Sequence, residues 1–178
     1  MENPVEELHP VEGREALSEL LDAELSDAVQ RAITALPLAQ REAISLIKSL
    51  CDEGYEVLIE TGGYLSTAAV DERAKIILDV KCPASGEADR NHWPNLDRLR
   101  PELDEVKFVI ADRADWEFAC GVVRAHDLEQ KARAILISPA WGQIDLKELA
   151  DWITESGLAL RMQLQMHKYI WGPEARGV

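Results

Sequence analysis

The sequence is short of cysteine, of positive charge and of long apolar runs, and each shortage excludes something. Its three cysteines, Cys51, Cys82 and Cys120, stand far apart with no CxxC or CxxxCxxC spacing. A zinc or iron–sulfur site built from neighbouring thiols is therefore not expected, and the three read as reduced, buried thiols. Only 19 Lys and Arg face 33 Asp and Glu, a net charge of −14. That excludes non-specific binding to nucleic acid or to an anionic membrane, while leaving room for a local basic pocket. No apolar run approaches the roughly 18 residues of a membrane span, and the acidic N-terminus has no signal-peptide pattern. A cytoplasmic protein with no membrane partner is the expectation.

What is present suits a folded domain. Hydrophobic residues make up 47% of the chain, enough for a core. Residues 1–13 read as an acidic leader. From Arg14 to about Ile33, Leu17, Leu20, Leu21, Leu25 and Val29 recur at helical spacing. A second helix is expected over Leu38 to Glu53, stopped by Gly54. Strands and helices then alternate. Strands are expected at EVLIE (56–60), KIILDVK (75–81), EVKFVI (105–110), RAILIS (133–138) and LRMQLQMH (160–167). Helices are expected over Ala114–His126 and over Leu146–Glu155, the latter ended by Gly157. Short connections between alternating elements argue an α/β fold with a mainly parallel sheet. One segment, CPASGEADRNHWPNLDRLRP (82–101), breaks the rhythm, and a connection of that length is usually functional or mobile.

Side chains alternate faces along a strand, so each strand divides into two sets. One face of every strand is apolar. The other holds Glu56 and Glu60, then Asp79 and Lys81, then Glu105 and Lys107, then Ser138, and last Arg161, Gln163, Gln165 and His167. Fully buried parallel strands would read as continuous Val, Ile and Leu. Polar groups concentrated towards the C-terminal ends fit a βα barrel with its site at that rim. Ion pairs on a solvated face would give the same letters. His167 alone fits a hydrogen-bonded structural histidine as well as a catalytic one.

The stretches LIETGG (58–63), ILDVKCPASGEADRN (77–91), NLDRLRPELDEVKFVIADR (95–113), LISPAWG (136–142) and LQMHKYIWGPEARGV (164–178) together resemble 7-carboxy-7-deazaguanine synthase. This is the radical S-adenosylmethionine enzyme family of the queuosine and 7-deazapurine pathway. The resemblance runs from about Pro37 to Val178. It implies residues 35–178 as the C-terminal part of an incomplete radical S-adenosylmethionine βα barrel, with residues 1–34 a divergent leader and helix. It also implies a homodimer that contracts the ring of 6-carboxytetrahydropterin to 7-carboxy-7-deazaguanine. The family uses S-adenosylmethionine, a four-iron four-sulfur cluster and magnesium.

By that likeness, Glu60, Thr61 and Gly62 border S-adenosylmethionine, and Asp79, Val80 and Lys81 reach its ribose and carboxylate side. Ser138, Pro139, Ala140 and Trp141 contact the adenosine. Thr34, Lys107, His167 and the terminal carboxylate of Val178 are the expected holders of the pterin or 7-deazapurine. The family's CxxxCxxC loop and its Gln-Gly-Glu-Gly strand have no counterpart. ITALPLAQ (33–40) stands where the family has Thr-Gly-Gly-Glu-Pro, so Ala35-Leu36 replaces the Gly-Gly-Glu. No cluster is therefore expected on this chain, and no catalysis by it alone. A non-catalytic pterin-binding or regulatory relative, or one subunit of a split enzyme, is the alternative.

Overall fold

Strands and helices alternate along residues 38–175, the part of the chain that the computed structural model describes. The expected leader and helix of residues 1–34, with Thr34, and the terminal Val178 lie outside the described residues. Helix α1 (Leu38–Asp52) leads to β1 (Leu58–Thr61) and β2 (Lys75–Val80). Three short 3-10 turns, at Pro83–Ser85, Ala88–Arg90 and Trp93–Arg98, precede β3 (Glu105–Ile110). Then come α2 (Arg113–Ala125), α3 (Leu128–Lys131), β4 (Ala134–Pro139), α4 (Leu146–Glu155), β5 (Leu160–Met162) and α5 (Met166–Trp171).

The five strands pair in chain order, β1-β2-β3-β4-β5, and every pair is parallel. A parallel sheet wound strictly in sequence is an arc of a βα barrel, as the alternation implies. Ile76, Leu78 and Val80 of β2, Val106, Phe108 and Ile110 of β3, and Ile135 and Ile137 of β4 bury one face of it. Trp116, Ala119 and Val123 of α2, Leu128 of α3 and Leu149 of α4 cover that face. Two helices begin with aspartate caps: the Asp112 side chain accepts from the Asp115 N–H at 2.9 Å, and that of Asp145 accepts from the Glu148 N–H at 3.0 Å.

The opposite face carries the polar set. Register places Glu60 beside Ile77, Asp79 beside Lys107, Val109 beside Ser138 and Leu136 beside Arg161. At the N-terminal end of the sheet, Arg100 and the buried Asp104 form a lock. The Asp104 carboxylate accepts from Ile76 N–H, Arg100 N–H and the Arg100 guanidinium at 2.6–3.0 Å. The Arg100 guanidinium also donates to the carbonyls of Glu72 and Ala74.

The segment 82–101 holds three 3-10 turns, and its Leu96 is 1% exposed in the core. One expectation needs correction. The fifth strand does not run to residue 167; it ends at Met162, and residues 166–171 are helical. The cause lies in β4. Gln163 N–H still bonds the Ile137 carbonyl at 2.9 Å, but the next ladder donor would be the N–H that Pro139 lacks. The Ser138 hydroxyl donates to the Gln163 carbonyl instead, at 2.7 Å, and there the pairing stops. The alternation of Gln163, Gln165 and His167 with Leu164 and Met166 is thus not a strand pattern.

Candidate functional site

The C-terminal ends of β1, β2 and β4 bring most of the expected cofactor residues to one rim. After Thr61, the chain turns through Gly62 and Gly63. A Cβ built on Gly63, whose φ is +73°, would lie 3.0 Å from the Asp79 carbonyl oxygen. Only glycine lets the turn sit on β2 so closely. A Cβ on Gly62 would meet Lys81 Cε at 3.7 Å, so the Glu60–Gly62 stretch abuts the Asp79–Lys81 stretch.

Asp79 of β2 and Lys81, one residue past its end, meet on the polar face of the sheet. Lys81 Nζ donates to Asp79 Oδ2 at 2.8 Å. Asp79 Oδ1 is buried and has no hydrogen-bond partner among the described residues. A buried acceptor left open at a cavity wall suits a ligand hydroxyl or N–H. Asp79, Val80 and Lys81 line a 220 Å³ cavity with Ser85, Asp115 and Ala140. Ala140 also lines a 310 Å³ cavity with Pro139, Trp141, Gln165 and Tyr169. The two expected sets, 79–81 and 138–141, thus meet at Ala140. Within the second set, Ser138 is 1% exposed and its hydroxyl is occupied by Gln163, so it shapes the rim from below.

The second cavity has an aromatic wall. Trp141 and Tyr169 meet edge-on with ring centroids 4.8 Å apart, and Lys168 Nζ lies 5.8 Å from the Trp141 ring centre. Such a wall can take a flat heterocycle. His167 stands on α5, next to this group, rather than on a strand beside Lys107. Lys107 is engaged elsewhere: its Nζ donates to Glu60 Oε1 at 2.5 Å, across the intervening β2. The structure pairs Lys107 with Glu60, a neighbour that strand alternation alone does not reveal.

Sequence reasoning also missed Asp115, Tyr169, Asn91 and Asn95. Asp115 is 1% exposed and accepts from the Ala84 and Ala111 N–H groups at 2.9 and 3.0 Å. The two asparagines stand in the 82–101 segment, where Asn in an irregular connection is a signal for side chains that bond backbone.

Cys82 lines the 220 Å³ cavity, yet it is poorly suited to be a nucleophile or an iron ligand. Burial, with Asp115 and Asp79 nearby, pushes its thiol up to about 12. Cys51 on α1 and Cys120 on α2 are free and buried too. Among the described residues, no group of three His, Cys, Asp or Glu could hold a metal ion. No described helix is long and apolar enough to cross a membrane.

No family model matches the chain. Individual relatives do. It is 44% identical over 153 residues to the 7-carboxy-7-deazaguanine synthase of Koribacter versatilis, a match covering 79% of this chain and 67% of that protein. It is 42% identical over 144 residues to the synthase of the same name from Chlorobaculum tepidum, covering 80% and 65%. With that of Leptospira interrogans the identity is 41% over 125 residues, covering 67% and 50%. The chain spans between half and about two thirds of the length of these curated relatives.

Proposed function

The chain belongs to the 7-carboxy-7-deazaguanine synthase family, and on that premise we propose that it forms the cofactor- and pterin-holding part of such a synthase. The reaction is the ring contraction of 6-carboxytetrahydropterin to 7-carboxy-7-deazaguanine. The observation that supports this best is the meeting of residues 79–81 with residues 138–141 around Ala140, at the C-terminal rim of a parallel sheet.

The rim fits S-adenosylmethionine. Asp79 offers its open carboxylate oxygen to the ribose, Lys81 its ammonium to the carboxylate end, and Trp141 with Tyr169 a wall for the adenine. Gly62 and Gly63 allow the backbone to come close to the ligand. When bound, S-adenosylmethionine supplies the radical that opens the reaction. The pterin lies over the polar face of the sheet, where Lys107 presents a cation that is only 14% exposed. His167 on α5 is the further described candidate for holding the pterin.

The thiols do not fit a four-iron cluster. Cys51, Cys82 and Cys120 are separately buried on different elements. Nor does any described set of ligands fit magnesium. We therefore assign the cluster to residues other than these 178, and these residues by themselves bind without turning over. The same observation favours the second reading, a pterin-binding relative that does not catalyse.

The test is an anaerobic assay with iron, sulfide, reductant, S-adenosylmethionine and 6-carboxytetrahydropterin. The chain is assayed alone and mixed with a separate polypeptide bearing a family member's cysteine loop. Pterin binding without product from the chain alone is expected. Product only in the mixture identifies a split enzyme, and none in either identifies the binding relative. Product from the chain alone, or no pterin binding at all, contradicts the proposal.

A further inference from the structure

Lys81 lies one residue past the end of β2, where the neighbouring β1 has already turned away into Gly62-Gly63. Its backbone groups would be left without a strand partner there, and a side chain takes that place. Asn91 Oδ1 accepts from the Lys81 N–H at 2.9 Å, and Asn91 Nδ2 donates to the Lys81 carbonyl at 2.9 Å. One amide thus makes both bonds that a neighbouring strand would make. The next residue extends the brace: His92 N–H donates to the Gly63 carbonyl at 2.8 Å.

A second asparagine completes it. Asn95, 2% exposed, accepts from the Thr67 N–H at 2.9 Å and donates to the Leu65 carbonyl at 2.8 Å. The segment 91–95 therefore ties the loop after β1 to the residue after β2. From the backbone held in this way, the Lys81 side chain donates to Asp79 Oδ2 at 2.8 Å and lines the 220 Å³ cavity beside it.

We infer that Asn91 is a positioning residue for the cofactor cradle, acting through Lys81, and that the 82–101 segment exists to carry this brace. The inference rests on the proposed assignment of S-adenosylmethionine to this rim. A lysine side chain has four rotatable bonds, so the direction of its ammonium depends on the backbone that launches it. Freeing that backbone costs affinity even with Lys81 present.

A double-mutant cycle tests this with the full chain and S-adenosylhomocysteine, a stable analogue of the cofactor, by isothermal titration. Asn91→Ala and Lys81→Ala are each expected to weaken binding by about tenfold. If Asn91 acts through Lys81, the double variant binds within about twofold of Lys81→Ala alone. Additive losses, or no loss in Asn91→Ala, overturn the inference while leaving the cofactor site standing. A wild-type chain that does not bind the analogue at millimolar concentration overturns both. Should Asn91→Ala not fold, Asn91→Asp serves in its place. It keeps the acceptor for the Lys81 N–H and removes the donor, and the same losses and the same coupling are expected.

Discussion

Lys107 and Glu60 reach each other across a whole strand, with Nζ and Oε1 2.5 Å apart, although Glu60 is in register with Ile77 of β2 and Lys107 with Asp79. The pairing is lopsided, since the lysine side chain is 14% exposed and the carboxylate 53%. The cation belongs to the polar face of the sheet, and an anionic ligand there is expected to compete with the half-exposed carboxylate for it.

Two substitutions separate these roles. Lys107→Ala is expected to weaken binding of a carboxylated pterin by about tenfold, read by fluorescence titration. Glu60→Gln is expected to strengthen it by about two- to threefold, because a partly exposed ion pair is worth at most about 1 kcal/mol and the competing negative charge is gone. Unchanged binding in Lys107→Ala would remove the lysine from the pocket.

The lock at the opposite end of the sheet concerns stability alone. Asp104 is 1% exposed and satisfies Ile76 N–H together with the Arg100 backbone and guanidinium. Asp104→Ala strands those donors and should cost about 3 kcal/mol in urea unfolding with an unchanged m-value. A loss below about 1 kcal/mol would show that water replaces the carboxylate without penalty.

Acid sensitivity should be focused near α1. The Arg73 side chain, hydrogen-bonded to Asp71, holds that carboxyl down at about 2, and the same guanidinium helps hold Asp52 below its ordinary value. A depressed carboxyl stabilises the fold above the ordinary carboxylate range and stops doing so as pH falls through its folded value. Stability contributed by Asp71 is therefore expected to be lost between about pH 4 and pH 2. Asp71→Asn should flatten that limb of a stability-against-pH curve, whereas a curve parallel to wild type would contradict the assignment.

The thiols offer a different check. Burial raises Cys82 to about 12 and also raises Cys120. At pH 8, alkylation of Cys82 in the folded chain should be at least about a hundredfold slower than in urea, and that of Cys120 slower as well, since the thiolate is the reactive form. Rapid labelling of native Cys82 would show an open, reactive site at the end of β2.

Much of this arrangement is legible in the letters. KIILDVK, EVKFVI and RAILIS announce β2, β3 and β4 because β-branched runs alternate with charge, and LKELADWITE repeats apolar residues at helical spacing. The same alternation in LRMQLQMH misleads. Its fate is decided by Pro139 on another strand, which withholds the donor that would extend β5. Long-range consequences of that kind have no local signature. The Lys107–Glu60 pair and the clasp of Asn91 on Lys81 are hidden for the same reason, since each joins residues whose proximity exists only after the sheet has formed. Thr61-Gly62-Gly63, by contrast, is readable beforehand, because glycine pairs mark tight turns and close backbone approach.

The proposed S-adenosylmethionine site is the C-terminal rim around Ala140. Amide-detected NMR of the isotope-labelled chain, titrated with S-adenosylhomocysteine, tests it most directly. Gly62, Lys81, Ala140 and Trp141 are expected to shift together along one saturable curve, while the outer groove lined by Arg113, Cys120 and Arg124 of α2 and Trp152 of α4 stays still. Shifts confined to that outer groove, or none up to millimolar ligand, would contradict it.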